Sequence, residues 1–342
     1  MVRAIAPPTS LVDHSTSEPD VVVACVTYNS GSVIDDFLAA LPAALDSVAS
    51  CRVVVVDNAS TDDTVAVIRR RAPWVTVVRA PGNVGYAAGI NLALDECTGS
   101  RGVYVLNPDA VPSTCSVARL LEATERDPRI GIAVPMVRSS DGDLKFSLRR
   151  EPTFLRAIGE TVLGGHRAAR FPRLGDMIRD PAHYREGATA DWATGAAMFV
   201  SRGAIDAVGR WDERFFLYSE ETDYALRARD AGFRLELVPA ANVTHPGGDM
   251  QTSPQLWSLV ALNRQRLYRK RHSLLPSCLY WGVTLANEGI RALLGRERSR
   301  LASRALLALG PDQRGTDSTP ALIARTSVPW HVGRSPGATP GE

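Results

Sequence analysis

No stretch of this sequence reaches the roughly 20 consecutive apolar residues that a membrane-spanning helix needs. The nearest, residues 274–294, is interrupted by Pro276, Asn287, Glu288 and Arg291. The N-terminus lacks a basic segment followed by an apolar core, so no secretory signal is expected. Cysteine is sparse. Cys25, Cys51, Cys97, Cys115 and Cys278 include no C-x-x-C pair and leave an odd total, which argues for buried thiols in a reduced, cytoplasmic compartment. Charge of one sign is also scarce: the net charge is +2, so bulk electrostatics select no polyanionic partner, and nucleic acid is not expected. What remains is an ordinary globular composition, 45% apolar and 22% charged over 342 residues. That length holds one large α/β domain with an extension, or two domains.

Pro, Ser and Thr dominate residues 1–19, and Gly, Pro, Ser and Thr dominate 311–342; both read as disordered tails. Between them, strands at 20–27, 52–56, 75–78, 103–106 and 130–134 alternate with helices at 32–48, 62–71, 84–97 and 113–126. Pro42 should interrupt or kink the first helix. This order predicts a mainly parallel sheet covered by helices on both faces. Residues 138–190 read as an irregular, polar insertion. An apolar segment at 196–200, a short helix from Gly203, a helix at 220–231 and strands at 234–238 and 242–245 follow. Residues 252–309 read as two or three helices, basic on one side. The expected organisation is an α/β domain over 20–250 and a basic helical extension over 251–310.

Two short apolar runs each end in an aspartate. Arg52-Val53-Val54-Val55-Val56 leads into Asp57-Asn58-Ala59-Ser60-Thr61-Asp62, and Gly102-Val103-Tyr104-Val105-Leu106 leads into Asn107-Pro108-Asp109. Ligands of open parallel sheets bind beyond the carboxyl ends of the strands. Both aspartates are therefore expected on one rim, where a nucleotide and a metal could bind. Val26-Thr27-Tyr28-Asn29 leaves the first strand at the same rim. It can receive a base or ribose, or simply turn the chain into the next helix. Ser60 or Thr61 can equally cap the helix after Asp62. The small residues of Asn83-Val84-Gly85-Tyr86-Ala87-Ala88-Gly89 permit close approach of a ligand or of another backbone. Asn107-Pro108-Asp109 is either a turn or a hard-oxygen site for Mg²⁺ or Mn²⁺. In Phe215-Phe216-Leu217-Tyr218-Ser219-Glu220-Glu221-Thr222-Asp223, an apolar surround would raise carboxylate pKa values toward those of a general base. The alternative there is structural, with Ser219 as N-cap and Asp223 paired to Arg227. His245, before a Gly-rich turn, is a metal ligand or a plain polar residue.

In this order the segments resemble the family 2 glycosyltransferases of the GT-A fold across roughly residues 20–270, and within them the bacterial rhamnosyltransferases. The resemblance implies a Rossmann-like α/β fold with a C-terminal helical extension. It also implies inverting transfer of a sugar, L-rhamnose from dTDP-rhamnose, to a hydroxyl of a cell-envelope glycan or a polyprenyl-diphosphate-linked acceptor. It places Asp57 on the pyrimidine, and Thr27, Tyr28, Asn29, Asn58, Ser60, Asn83, Gly85, Gly89 and Asn107 along the nucleotide-sugar. Asp109 becomes the metal ligand of a D-x-D motif whose first position is Asn107, with His245 sharing the Mg²⁺ or Mn²⁺. Trp192, Thr194 and Gly195 would line the sugar and acceptor pocket. The family's base is usually the Asp of a Glu-Asp pair; here Glu221 follows Glu220 at that position, with Asp223 nearby.

Three other readings remain. A UDP-sugar could replace the dTDP-sugar, with galactofuranosyl or another hexosyl group transferred. A nucleotidyltransferase would need a basic Gly-rich phosphate loop, and Thr27-Tyr28-Asn29-Ser30-Gly31 has no Lys or Arg. An inactive nucleotide-sugar- or glycan-binding subunit would not need Asp57, Asp109, Glu221 and Asp223. Between 264 and 304, Arg264, Arg266, Arg269, Lys270, Arg271, Arg291, Arg296, Arg298, Arg300 and Arg304 are opposed only by Glu288 and Glu297. This predicts either a solvated face or peripheral attachment to an anionic membrane surface, motivated by the 264–271 cluster.

Overall fold

Continuous burial explains why the β-branched runs become central strands: all seven residues of Val21–Thr27 and all seven of Cys51–Asp57 are inaccessible. The computed structural model describes residues 4–11, 18–247 and 253–312. The remainder of the expected tails, 1–3, 12–17 and 313–342, lies outside the described residues. Residues 4–11, read from composition as part of a tail, are tied to the sheet. Ile5 N–H donates to Arg71 O at 2.6 Å, and Cys51 N–H to Ser10 O at 2.8 Å.

The alternating half comprises β1 (Val21–Thr27), α1 (Ile34–Ala44), β2 (Cys51–Asp57), α2 (Thr64–Arg71), β3 (Thr76–Arg79), α3 (Tyr86–Leu94) and β4 (Gly102–Leu106). Then come β5 (Val111–Pro112), α4 (Ser116–Arg126) and β6 (Ile130–Arg138). The segment expected to be irregular holds β7 (Leu148–Arg149), α5 (Phe154–Leu163), α6 (Gly165–Ala168) and β8 (Thr189–Ala190), and β9 (Trp192–Ala193) follows it. The Thr153 side chain caps α5 by accepting from Arg156 N–H. The sheet is completed through β10 (Ala197–Ser201), α7 (Arg202–Val208), α8 (Glu220–Asp230) and β11 (Arg234–Thr244). Among the described residues three helices follow: α9 (Pro254–Arg271), α10 (Leu274–Leu293) and α11 (Glu297–Leu309). Pro42 sits in the last turn of α1, which ends two residues later at Ala44.

The main sheet runs β3-β2-β1-β4-β10-β6-β11-β5, with β8 on β11. Its left side is parallel, as expected, but β10 enters antiparallel between β4 and β6. The two strands expected at 234–238 and 242–245 are one, broken in register between Val238 and Asn242, where Pro239 has no N–H to give a ladder. Alternate side chains feed two cores. Val21, Val23 and Cys25 pack with α1, α2 and α4; Val22, Ala24 and Val26 pack with α3, α7 and α8. The register pairs Thr27 with Asp57 and Cys25 with Leu106, so the loops after β1, β2 and β4 leave from one rim. Because β10 is reversed, its first residue, Ala197, pairs with Leu106 and brings Gly195 to the same rim.

The basic residues at 264–271 do not form a solvated face. Arg264 reaches Glu160 at 3.1 Å and Asp176 at 3.4 Å; Lys270 reaches Asp212 at 2.7 Å and Asp223 at 2.6 Å; Arg271 binds Asp230 and Glu151. Arg266 is buried and donates to Arg214 O, and Arg269 pairs with Asp312. The cluster that motivated an electrostatic membrane contact is spent fastening α9 to the sheet domain.

Candidate active site

At the end of β2 the Asp57 carboxylate is fully buried. It accepts from Thr27 Oγ1 at 3.4 Å and from Ser60 N–H at 3.2 Å, and Arg79 Nη2 lies 3.5 Å away. The adjoining turns are laced together. Asn29 N–H donates to Ser60 Oγ at 2.9 Å, and Asn29 Oδ1 accepts from Thr61 N–H at 2.8 Å. Asn29 and Ala59 take left-handed φ values of 52° and 59° to allow this. Tyr28 is half-buried beside them. Neither Ser60 nor Thr61 caps the helix: the N-cap position is Asp63, which makes no side-chain cap bond, and the Asp62 carboxylate ahead of it accepts Thr64 N–H at 3.0 Å and Gly31 N–H at 3.0 Å. Ser60 is thereby left to the rim.

Asn58 is buried and donates to Gly85 O at 3.0 Å, while its Oδ1 has no partner among the described residues. Asn83 Oδ1 accepts Gly85 N–H at 3.2 Å. Gly85 has φ +93°, and an added Cβ would stand 2.5 Å from Phe216 Cδ2 and 2.6 Å from Phe216 O. This close approach lets Tyr86 N–H donate to Phe216 O at 2.6 Å, joining α3 to the loop ahead of α8. Gly85→Ala combines backbone strain with a clash and is expected to cost about 3 kcal/mol. Urea unfolding beside Gly82→Ala, where a Cβ meets nothing within 4 Å, checks this. Gly89 has a packing role instead: a Cβ there would stand 2.6 Å from Val26, so this glycine lets α3 lie close on β1.

After β4, Asn107 N–H donates to Ala196 O at 3.0 Å, and Asn107 Oδ1 accepts from Tyr86 O–H at 2.8 Å. Asp109 Oδ1 and His245 Nε2 lie 3.2 Å apart, although 136 positions separate the two residues in sequence. Among the described residues no group of three His, Cys, Asp or Glu converges. A cation here would therefore have one carboxylate and one imidazole from the protein, with its other positions left to phosphate oxygens and water, a donor count that suits Mg²⁺ or Mn²⁺.

The acidic helix start differs from its sequence reading. Tyr218 and Ser219 both adopt left-handed φ, 71° and 72°, and the Ser219 side chain makes no cap bond. The turn is held by Asn263, whose Nδ2 donates to Leu217 O at 2.9 Å and Tyr218 O at 3.1 Å. Glu221 folds back on the first turn of α8. Burial pushes its carboxyl up to about 7, against the opposing effect of hydrogen bonds from backbone N–H groups at Glu221, Thr222 and Ser219. Its Oε2 is shielded and has no partner among the described residues. Glu220 is raised well above the usual range by burial and by the adjacent Glu221. A Cβ on Gly195 would lie 3.5 Å from Glu221 Cγ, in ordinary van der Waals contact, so Gly195 borders this glutamate directly.

Asp223 is not placed to act as a base. It is buried and accepts from Arg227 Nε at 2.8 Å and from Lys270 Nζ of α9 at 2.6 Å. Two residues outside the expected set join the site. Tyr86 bridges to Asn107, and its phenol is pushed up by burial and by Cys25, Glu220, Glu221 and Asp109 around it. Arg149 on β7 acts electrostatically on Glu221 and lies 6.0 Å over the Trp192 ring. The β7–β9 pair positions Trp192, whose Nε1 donates to Arg150 O at 2.9 Å; Thr194 N–H donates to Ser147 O at 3.0 Å. Tyr86 lies inside the Gly85–Gly89 segment, which drew notice for its small residues and not for the tyrosine; Arg149 carried no sequence signal.

Residues 22–185 match the family described as Glycosyl transferase family 2, and residues 153–296 match Glycosyl transferase family group 2. The chain is 34% identical over 240 residues to the N-acetylglucosaminyl-diphospho-decaprenol L-rhamnosyltransferase of Mycobacterium tuberculosis, covering 65% of this chain and 75% of that protein. In fold it resembles the mannosyltransferase PcManGT from Pyrobaculum calidifontis, solved with GDP-Man and Mn²⁺. There the TM-score is 0.51 at 20% identity, over 95% of this chain and 89% of that one. It also resembles GalNAc-T7, solved with UDP, GalNAc and Mn²⁺. That likeness has a TM-score of 0.54 at 14% identity, over 83% of this chain and 53% of the other, about half its length.

Proposed function

The chain belongs to glycosyl transferase family 2 and is a glycosyltransferase, and on that premise we propose that it moves L-rhamnose from dTDP-rhamnose to a hydroxyl of a polyprenyl-diphosphate-linked glycan by one inverting displacement. The observation that carries the mechanism is Glu221, a shielded carboxylate with a free oxygen, pushed up to about 7 and facing Gly195. A base of that pKa is half-ionised near neutrality and still strong enough to take a hydroxyl proton. Support for rhamnose and for the lipid-linked acceptor comes from the mycobacterial relative.

In this reading Asp57 meets the pyrimidine, and Thr27, Tyr28, Asn29, Asn58, Ser60 and Asn83 line the nucleoside. Trp192, Thr194 and Gly195 border the sugar and the acceptor. Glu221 removes the acceptor proton as that oxygen bonds to the anomeric carbon. The bond from that carbon to the diphosphate oxygen breaks on the opposite face, inverting the centre. Asp109 and His245 would hold Mg²⁺ or Mn²⁺, which when bound offsets charge on the diphosphate. Asn107, fixed by Tyr86, orients the turn that carries Asp109.

Thermal shift with dTDP-rhamnose, UDP-galactofuranose, UDP-glucose and GDP-mannose, with and without Mn²⁺, tests the donor. The largest shift is expected for dTDP-rhamnose with Mn²⁺, and Asp109→Ala should erase the Mn²⁺ increment. A larger response to a UDP-sugar overturns the donor. No response to any of the four sets the nucleotide-sugar reading aside.

A further inference from the structure

Among the described residues no helix is long and apolar enough to cross a membrane, yet α10 keeps one side bare. Leu275, Leu279, Gly282, Ala286, Ile290 and Leu293 recur at intervals of four, three, four, four and three, which places them on a single face. All six are exposed, and the four large side chains range from 52% at Ile290 to 90% at Leu293. The opposite side of the helix is engaged: Tyr280 stacks on Tyr268, and Trp257 Nε1 donates to Glu288 at 2.9 Å. A soluble surface seldom leaves so many large apolar side chains contiguous without a partner.

The surroundings of this face select the partner. At the α10 C-terminus the exposed Leu294 leads into the exposed Arg296, and α11 then shows Arg300, Arg304 and Leu307 to solvent at helical spacing. Beside α10, α5 packs through Ala157 against Tyr280 and exposes Leu155 and Val162. The segment after α5 exposes Phe171 between Arg167, Arg170 and Arg173. Apolar side chains flanked by exposed arginines match a bilayer surface bearing anionic headgroups, with leucines at the acyl boundary and guanidinium groups at the phosphates.

We propose that the exposed face of α10, with the arginines of α11 and of residues 167–173, is an in-plane docking surface for an anionic lipid bilayer. At 20 residues the helix would lie along about 30 Å of the interface. The proposal rests on the lipid-linked acceptor reading for its purpose; within 264–304 it shifts the contact from the 264–271 cluster to α10 and α11, and it adds residues 167–173.

Co-sedimentation of the full chain with vesicles of phosphatidylcholine and about 30% phosphatidylglycerol tests it. The vesicles contain no acceptor lipid, so the docking surface and the acceptor reading fail separately. Binding is expected at low salt, weakened about tenfold or more in the double variant Leu279→Glu/Leu293→Glu. The triple variant Arg296→Glu/Arg300→Glu/Arg304→Glu should lose the preference for anionic over neutral vesicles. These positions are exposed, so circular dichroism and donor-dependent thermal shift should match wild type. A chain that stays in the supernatant at low salt overturns the proposal, as does undiminished binding by the leucine double variant. A dimer that the leucine variant dissociates, without vesicle binding, assigns the face to a second copy of the chain and overturns it too.

Discussion

Replacing Glu221 by glutamine is expected to lower kcat by about a thousandfold while donor affinity stays within about twofold. The side chain keeps its size and can still accept a hydrogen bond from the α8 backbone, so the pocket beside Gly195 is preserved and only the proton acceptor is lost. Single-turnover transfer with saturating donor, beside calorimetric donor binding, separates the two quantities. Wild-type kcat/KM should rise with pH through about 7 and then level, as Glu221 loses its proton. The same ionisation has a sign in stability. A carboxyl whose folded pKa lies above its ordinary value favours the folded state fully below the unfolded pKa, and that contribution is lost as pH rises through about 7. Glu221→Gln should therefore melt higher than wild type at about pH 8, with the difference shrinking toward about pH 5. Turnover close to wild type in Glu221→Gln would move the base to Glu220.

Lys270→Ala is expected to destabilise the protein by about 3 kcal/mol, because it removes the cation shared by two shielded carboxylates. Lys270 Nζ lies 2.7 Å from Asp212 and 2.6 Å from Asp223, and Asp223 is almost completely buried. Arg214 and Arg227 stay behind as partial partners, which keeps the loss at the lower end for such sites. Burial would raise Asp212, yet hydrogen bonds from Arg214 and Lys270 hold it below the usual carboxylate range. A depressed carboxylate stabilises the fold above its unfolded pKa, and this contribution is lost as pH falls toward the folded value. Lys270→Ala should thus show a smaller loss of stability on acidification than wild type. Urea titrations at two pH values measure both effects. Lys270→Arg keeps the charge and should restore most of the stability.

The rim was legible in the sequence because burial on both faces writes itself as an unbroken apolar run. Asp57 and Asp109 stand where two such runs end. Direction within the sheet was not legible. The strand β10 reads like its neighbours, and only its connection through the 138–190 region makes it antiparallel. Helix α5 was hidden because Arg156 and Glu160 look like solvent-facing charges; Glu160 instead meets Arg264, 104 positions away. The same blindness affected 264–271 and the second partner of Asp223, Lys270, whereas the pairing of Asp223 with Arg227 one helical turn on was legible. A charge run reads alike whether water or a distant carboxylate receives it, and the partners Glu160, Asp176 and Glu151 lie far upstream. Ser219 failed as a cap for a different reason. Its identity suits an N-cap, but the turn that presents Glu221 demands a left-handed backbone.

The grip of Asn263 on Leu217 O and Tyr218 O bears on how this protein can be divided. Those carbonyls belong to the turn that aims the two glutamates, and the side chain that holds them comes from the helix beyond the sheet domain. A fragment ending near residue 250 would retain every strand of the sheet yet surrender the clasp, along with Lys270. The catalytic unit therefore has no clean C-terminal seam. The helices that follow the sheet are structural members of the site, and exchanging them between relatives would transplant part of the catalytic geometry as well.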